Sequence, residues 1–217
     1  FNTGAKYYMA DKNFIKTPTI HGTYGLVLIG GNSSRMGRDK SMIQYYQKPQ
    51  RYYVYENLTP FCEKVFISCN KDQAGSISAD YSFITDNDLY KDIGPMAALL
   101  TAFTEFPKKN MLLIGCDYPF LTANDLQQLS LNCKAGKPVS FYNKDENIYE
   151  PLVAWYPFTV LDTLKNMFQS NKYSLQHYLQ DSDALRLYPV YKKSIISINT
   201  PKDFKKAFAH LNNDIPL

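Results

Sequence analysis

The stretch "YGLVLIGGNSSRMGRDK" (24–40) decides the fold. It begins with an apolar run, "YGLVLIG" (24–30), and a run of this kind without polar alternation predicts a strand buried on both faces of a sheet. The run closes on Gly30 and Gly31, whose missing Cβ atoms let the backbone turn sharply and approach a ligand. Arginines and a lysine follow. Together these features predict an anion site at the end of a buried strand.

Short apolar runs alternate with helix-like stretches along the rest of the chain. This alternation predicts an α/β fold with a mostly parallel, Rossmann-like, three-layer sheet that has helices on both faces. The hairpin-like region 137–156 adds an antiparallel excursion. Ligands of such sheets bind beyond the carboxyl ends of the strands. The predicted strands are 24–30, 64–69, 81–85, 111–116, 138–142, 149–156 and 194–198, and the predicted helices are 50–60, 95–106, 123–131, 158–168, 174–180 and 202–211.

Length and composition predict one globular domain with a short extension. The chain has 217 residues, of which 45% are hydrophobic and 20% charged, and this is ordinary for a globular protein of that size. Residues 1–23 show neither helical nor strand periodicity. We therefore expect a tail or linker over 1–23 and a single domain over 24–217.

Charge and cysteine usage exclude several classes of partner. The net charge of +4 is spread along the chain, so neither a nucleic-acid arm nor a basic amphipathic helix is expected. No apolar stretch approaches the length of about 18 residues that a membrane span needs. The four cysteines show no metal-ligand or CxxC spacing, which favours buried thiols in a reducing compartment. A cytoplasmic protein without nucleic-acid or membrane partners is the expectation.

The charged residues of the opening stretch are suited to a polyphosphate. Arg35 and Lys40 flank Gly37, so a loop folded around a triphosphate would bring both side chains onto its oxygens. Arginine makes bidentate contacts, and lysine neutralises charge as a point cation. The spacing matches neither the Walker A loop nor the dinucleotide fingerprint GxGxxG, so the loop is of another type. A surface turn with solvated charges is the alternative.

Three polar residues follow predicted strands. Asp117 comes after "MLLIGC" (111–116), where a carboxylate is suited to Mg²⁺; a loop or helix-capping aspartate is the alternative. Asp86 comes after "YSFIT" (81–85), in a turn-rich context that explains an aspartate equally well. Asn199 could orient a substrate or a metal-bound water, or could cap the helix that follows it.

Four segments of the chain together resemble the GT-A-like nucleotidyltransferases, most closely their molybdenum cofactor guanylyltransferase branch. "LIGGNSSRMGRDK" (28–40) resembles the signature L-A-G-G-x-S-x-R-M-G-x-D-K. "TDNDLYKDIGPMAALLTAF" (85–103) resembles the segment with an aspartate followed by Gly-Pro-Leu. "MLLIGCDYPFLTANDL" (111–126) resembles the strand followed by D-x-P-F/Y-L, and "IISINTPKDF" (195–204) resembles the closing N-x-N-T-P-x-D-L.

The resemblance implies a reaction and its partners. It implies transfer of GMP from GTP to the terminal phosphate of molybdopterin, or of its molybdenum-loaded form, with release of pyrophosphate and Mg²⁺ as cofactor. Gly30-Gly31 corresponds to the guanylyl-like form of the first turn, whereas cytidylyl relatives tend to carry L-A-A-G. Contacts with other cofactor-biosynthesis proteins or with molybdoenzymes would fit this role.

The resemblance also implies site residues. Arg35 and Lys40 would neutralise the β- and γ-phosphates, Asp117 would hold Mg²⁺, and Asn199 would contact the acceptor. The implied nucleotide-binding residues are Leu28, Ile29, Gly30, Gly31, Ser33, Arg35, Met36, Gly37, Lys40, Asp86, Gly94 and Pro95.

Other functions stay open on the sequence. One is another nucleoside-triphosphate-dependent transferase, either a cytidylyl enzyme of the same cofactor or one that acts on a sugar phosphate. The other is a non-catalytic module that binds nucleotide.

Overall fold

The computed structural model describes residues 19–29, 39–134 and 136–213. Strands and helices alternate over most of this part of the chain. The strands are β1 (Thr23–Leu28), β2 (Lys64–Cys69), β3 (Phe83–Thr85), β4 (Asn110–Gly115), β5 (Val139–Asn143), β6 (Ile148–Tyr156) and β7 (Leu185–Leu187). The helices are α1 (Gln50–Leu58), α2 (Lys71–Ala74), α3 (Pro95–Glu105), α4 (Ala123–Asn132), α5 (Leu161–Gln169), α6 (Leu175–Asp181) and α7 (Pro201–Asn213).

The strands of the described residues form one seven-stranded sheet in the order β3-β2-β1-β4-β6-β5-β7. β1 pairs in parallel with β2 and β4, β2 pairs in parallel with β3, and β5 pairs in parallel with β7. β6 runs antiparallel to both of its neighbours, β4 and β5. The antiparallel excursion expected over 137–156 is therefore confirmed, with β5 and β6 as its two strands.

Helices cover both faces of the sheet, which confirms the three-layer α/β architecture. On one face, Val54 and Leu58 of α1 and Leu126 and Leu129 of α4 pack against alternate residues of the central strands. On the other face lies α3, whose residues from Met96 to Phe103 are all buried. The helices α5 and α6 complete this second layer. Burial on both sides explains why β1 and β4 consist of nearly continuous apolar residues.

The prediction of a strand at 194–198 is wrong. Lys192–Ile195 form a 3-10 helix, and the chain continues from there without pairing in the sheet. The segment is apolar because Ile195 and Ile198 are buried, so the pattern reflects burial of single residues and not strand pairing. The strand β7 was missed because it has only three residues, two of which are exposed at the sheet edge.

Four parallel strands bring the segments that follow them to one edge of the sheet. β1, β2, β3 and β4 run in the same direction, so the segments that follow them leave the same edge of the sheet. The loop after β4 is extended beside β1, because the Cys116 amide donates to the Leu28 carbonyl. Every sequence-predicted site residue that the structure describes lies in a segment that borders this edge or packs on it. Over the described residues, no helix combines the length and apolar character of a membrane span.

Candidate functional site

The structure divides the predicted site residues into two groups. Gly30, Gly31, Ser33, Arg35, Met36 and Gly37 lie outside the described residues. Leu28 and Ile29 end the first strand, and the Ile29 side chain is buried in the core, so only its backbone is available to a ligand. The remaining predicted residues, described below, are Lys40, Asp86, Gly94, Pro95, Asp117 and Asn199.

Lys40, Asp117 and Asn199 form one cluster, although 159 positions separate the first from the last. The Lys40 Nζ lies 3.6 Å from Asp117 Oδ1 and donates a 2.9 Å hydrogen bond to Asn199 Oδ1. Both charged side chains are mostly covered, with 17% of Lys40 and 26% of Asp117 exposed. The cluster therefore combines one cation and one carboxylate beside the end of β4.

Backbone contacts hold the cluster in place. Lys40 begins a short 3-10 helix, and Asp39 caps that helix by accepting from the Ser41 amide at 2.9 Å. The Ile198 amide donates to the Asp117 carbonyl at 2.8 Å, so the segment before α7 runs alongside the loop after β4. These contacts explain how distant parts of the sequence reach a common position.

The capping role considered for Asn199 is wrong. Thr200 makes the contacts of a cap for α7, because its Oγ1 accepts from the Asp203 amide at 3.2 Å and donates to Asp203 Oδ2 at 2.6 Å. The Asn199 side chain instead accepts from Lys40 and donates to Ser197 Oγ at 2.9 Å. Asn199 thus belongs to the cluster with Lys40 and does not cap α7.

A nearby cation stabilises the ionised form of the Asp117 carboxylate. Burial raises its pKa above the ordinary value, and the nearby Lys40 ammonium acts in the opposite direction. A partly buried carboxylate of this kind gains from any positive charge that reaches it. Among the described residues, no group of three or more His, Cys, Asp or Glu residues could hold a metal ion without help. A divalent ion at Asp117 would need further oxygens from a substrate, which is how Mg²⁺ is commonly bound.

Asp86 lies at the same sheet edge but outside the cluster. Its amide donates to the Cys69 carbonyl at 3.0 Å, and its Oδ1 accepts from Ser68 Oγ at 3.2 Å. Burial raises the pKa of Asp86, and the Ser68 hydrogen bond partly offsets this. Because β2 and β1 stand between β3 and β4, Asp86 and Asp117 are separated by three strand spacings, or about 14 Å.

Gly94 and Pro95 form the entry to α3. Gly94 has φ 67° and ψ −148°, a combination that is close to exclusive to glycine, and Pro95 occupies the first helical position. A Cβ atom on Gly94 would meet nothing within 4 Å. The glycine is therefore required by its backbone conformation and not by lack of space.

We expect Gly94→Ala to lower the free energy of unfolding by about 1–3 kcal/mol, the usual cost of holding a side chain in this conformation. Urea unfolding measures the change. Gly75→Ala is the matched control, because Gly75 is equally open but has φ −65° and ψ −12°. Alanine at that position should be neutral or stabilising by roughly 0.4–1 kcal/mol. Equal effects at the two positions would contradict the assignment.

Comparison with known proteins places the chain in a family. Residues 25–185 match the model of the MobA-like NTP transferase domain. The chain belongs to the MobA-like NTP transferase domain family. The match includes most of β1, Lys40, Asp86, the entry to α3 and Asp117, and it confirms the family resemblance; the fourth segment, 195–204, lies beyond it.

Relatives of this MobA-like domain carry consistent names. The chain is 31% identical over 183 residues to a molybdenum cofactor biosynthesis bifunctional protein of Synechocystis; the similarity covers 83% of the chain and 52% of that protein. The chain thus spans about half the length of this relative. It is 25% identical to a molybdenum cofactor guanylyltransferase of Ectopseudomonas mendocina, with 85% of the chain and 92% of the relative covered.

A solved structure agrees with the MobA-like assignment. The molybdopterin-guanine dinucleotide biosynthesis protein A of Archaeoglobus fulgidus superposes with a TM-score of 0.72 at 26% sequence identity. The similarity covers 88% of this chain and all of that one. The sheet described above is therefore the fold of this family.

Sequence reasoning missed one buried polar pair in this MobA-like domain. The Tyr118 hydroxyl donates a 2.9 Å hydrogen bond to Glu150 Oε2, and both residues are buried. The pKa of Glu150 is raised to about 7, chiefly by burial; the Tyr118 hydrogen bond acts in the opposite direction, and the Glu146 charge adds a smaller increase. The available signal was a glutamate in the apolar stretch "YEPLVAWY" (149–156). The hydrogen bond fixes Tyr118, the residue next to Asp117, against the beginning of β6.

This pair predicts a pH-dependent stability. A carboxyl group whose pKa is higher in the folded than in the unfolded state favours folding while it is protonated, and this contribution is lost as the pH rises from about 4.5 to about 7. The shift corresponds to at most about 3 kcal/mol. We expect Glu150→Gln, whose amide carbonyl still accepts from Tyr118, to flatten this decline in urea unfolding at pH 5 to 8.

The control for Glu150→Gln is Glu105→Gln. Glu105 is exposed at the end of α3. Its replacement should leave the pH dependence of the wild type unchanged. A Glu150→Gln variant whose stability falls with pH as steeply as that of the wild type would remove Glu150 as the cause.

Proposed function

We propose that the chain transfers GMP from GTP to the terminal phosphate of molybdopterin or of its molybdenum-loaded form, releasing pyrophosphate. The observation that carries the proposal is the Lys40–Asp117 pair at the end of β4, with 3.6 Å between ammonium and carboxylate. The pair adjoins the strand that leads into the glycine-rich segment. The names of the guanylyltransferase relatives support the choice of guanine and of the cofactor as acceptor.

In the proposed reaction, an oxygen of the acceptor phosphate attacks the α-phosphorus of GTP in line. A new P–O bond forms while the bond to the β-phosphate oxygen breaks, and pyrophosphate carries away the electron pair. Lys40 and Arg35 neutralise the charge that develops on the leaving group, and the amides of the segment after β1 hold the same oxygens. No covalent enzyme intermediate is needed, so positioning and electrostatics supply most of the rate.

The residues present fit Mg²⁺ as the cofactor. Asp117 offers a partly buried carboxylate at the sheet edge, and triphosphate oxygens would complete the ligand set. Asp117 would hold the ion, which when bound would polarise the phosphate oxygens and offset their charge. Asn199 would contact the acceptor, and its membership of the cluster with Lys40 and Asp117 supports a place near the reacting phosphates.

The nucleotide would lie along the sheet edge, with its phosphates near Lys40 and its base and ribose toward Asp86. The separation of about 14 Å between the two aspartates suits an extended nucleoside triphosphate. The Asp86 carboxylate accepts hydrogen bonds, as donors of guanine or of ribose would require. Gly94 and Pro95 would shape the pocket beside it.

The proposed function extends to the domain organisation, location and partners of the chain. We infer that residues 24–217 form the catalytic domain and that residues 1–23 are a tail or linker. The protein would work in the cytoplasm without nucleic-acid or membrane partners. It would hand its product to other cofactor-biosynthesis proteins or to molybdoenzymes.

A pyrophosphate-release assay tests the proposed function. The purified chain is incubated with Mg²⁺, molybdopterin and each of GTP, CTP, ATP and UTP in turn, and with GTP and a hexose 1-phosphate as an alternative acceptor. We expect release only with GTP and molybdopterin, with the guanine dinucleotide detected by mass spectrometry. Preference for CTP, or activity with the hexose phosphate alone, would overturn the proposal. Binding of GTP without any turnover would indicate a non-catalytic module instead.

A further inference from the structure

The Lys40 ammonium lies beside the Asp117 carboxylate, where a metal ion bound to that carboxylate would also lie. Its Nζ lies 3.6 Å from Oδ1 of that carboxylate, and Asp117 is the acid with which Lys40 forms an ion pair within the described residues. A divalent ion bound to the same oxygen would lie close to this ammonium and would be repelled by it. The Lys40–Asp117 ion pair therefore opposes metal binding at Asp117.

We propose that Lys40 is the resident cation of Asp117 in the nucleotide-free protein, and that it leaves this place only when a polyphosphate attracts its ammonium. The divalent ion then binds together with the nucleotide and not before it. This inference rests on the proposed function, because it takes the ligand to be a nucleoside triphosphate.

The chemistry of the cluster suits such an exchange. A lysine carries its charge on a long stem with rotatable bonds, so its ammonium can change partners without movement of the backbone. Asp39 fixes that backbone through its hydrogen bond to the Ser41 amide. In the nucleotide-free protein, the Asn199 amide oxygen holds the ammonium beside Asp117 through a neutral acceptor. A polyphosphate offers several charged oxygens and so competes well against one carboxylate and one amide.

The exchange also accounts for a metal site in which the protein contributes the Asp117 carboxylate and the triphosphate contributes the other oxygens. Asp117 alone would bind a metal ion weakly, and the resident ammonium weakens that binding further. The divalent ion would therefore not occupy the site when nucleotide is lacking. Its arrival would depend on the triphosphate in two ways: the triphosphate removes the ammonium and supplies the remaining oxygen ligands.

The experiment measures Mn²⁺ binding to the nucleotide-free protein by electron paramagnetic resonance, with Mn²⁺ in place of Mg²⁺ because both prefer oxygen ligands. We expect weak binding by the wild type. Lys40→Met keeps the apolar stem but lacks the charge, and we expect it to bind Mn²⁺ about tenfold or more tightly, the effect of removing one adjacent charge. Lys165→Met, an exposed position on α5, should match the wild type.

Two further variants test whether the ion binds at Asp117 and replace Lys40→Met if that variant does not fold. The double variant Lys40→Met with Asp117→Asn should lose the gain in affinity, which shows that the ion binds at Asp117. Lys40→Gln, which keeps a polar head group for Asn199, repeats the measurement should Lys40→Met fail to fold. Unchanged Mn²⁺ affinity in the folded Lys40 variants, or a gain that survives loss of the Asp117 carboxylate, would overturn the inference.

Failure of this inference differs from failure of the proposed function. The Mn²⁺ measurement involves neither GTP nor acceptor. A wild type that transfers GMP while its Lys40 variants bind Mn²⁺ no better would refute only the resident-cation role. A wild type that transfers no GMP would refute the proposed function, whatever the Mn²⁺ affinities are.

Discussion

Asp117→Asn is expected to abolish Mg²⁺-dependent GMP transfer, with a fall in turnover of roughly 10³-fold or more, the scale on which enzymes depend on groups that stabilise transition-state charge. The variant keeps the size and one acceptor oxygen of the side chain but loses the negative charge at the end of β4. That charge lies 3.6 Å from the Lys40 ammonium, and in the proposed function it holds Mg²⁺. Steady-state rates at saturating GTP and Mg²⁺ measure the loss.

The stability of the same variant separates a catalytic role from a structural one. Burial raises the pKa of Asp117, so the ionised side chain is held at a cost that the neutral amide does not have. We therefore expect the melting temperature of Asp117→Asn to stay close to that of the wild type or to rise. Asp162→Asn, at an exposed position on α5, is the control for loss of one carboxylate. Rates within a few-fold of wild type would remove Asp117 from the mechanism.

Lys40→Ala is expected to lower turnover by about 10²–10³-fold, because in the proposed reaction the ammonium neutralises charge on the departing pyrophosphate. The folding free energy should change by less than about 3 kcal/mol, the scale of losing hydrogen bonds to one charged, partly buried group. Thermal unfolding and initial rates are measured on the same preparation. Lys165→Ala, on the outer surface of α5, controls for the loss of one positive charge.

The surroundings of Lys40 require that both its effect on turnover and its effect on stability be measured. The side chain is only 17% exposed and joins Asp117 to Asn199, so it is more enclosed than a lysine at the edge of a loop would be. A large fall in melting temperature with a proportionate fall in activity would mark Lys40 as a structural residue. A fall in turnover at unchanged stability supports its role in charge neutralisation.

The sheet edge of the site could be predicted from the sequence. Continuous apolar runs identified β1, β2 and β4, and parallel strands must bring their carboxyl ends together. The placement of Asp117 at that edge follows from its position directly after β4. The fold class needed no more than the alternation of such runs with helices.

Contacts across long sequence separations could not be predicted from spacing. Nothing in the sequence around Lys40 or Asn199 indicates that these two side chains meet, since their contact depends on how the segment before α7 crosses the loop after β4. The Tyr118–Glu150 pair is another example, because it depends on the antiparallel pairing of β4 with β6. The short edge strand β7 was missed because three residues carry too little pattern.

Among the strands of the described residues, β6 alone runs against the other six, and it separates β3, β2, β1 and β4 from β5 and β7. β3, β2, β1 and β4 share one direction and one edge, and they carry the proposed nucleotide residues. β6, β5 and β7 lie on the other side of β4 and are connected by a short hairpin and peripheral helices. We expect substitutions in β5 and β7, which do not pair with β1 or β4, to alter the space beyond β6 with little effect on the parallel strands. Descendants of one ancestral scaffold could in this way acquire new acceptors while retaining the same chemistry at phosphorus.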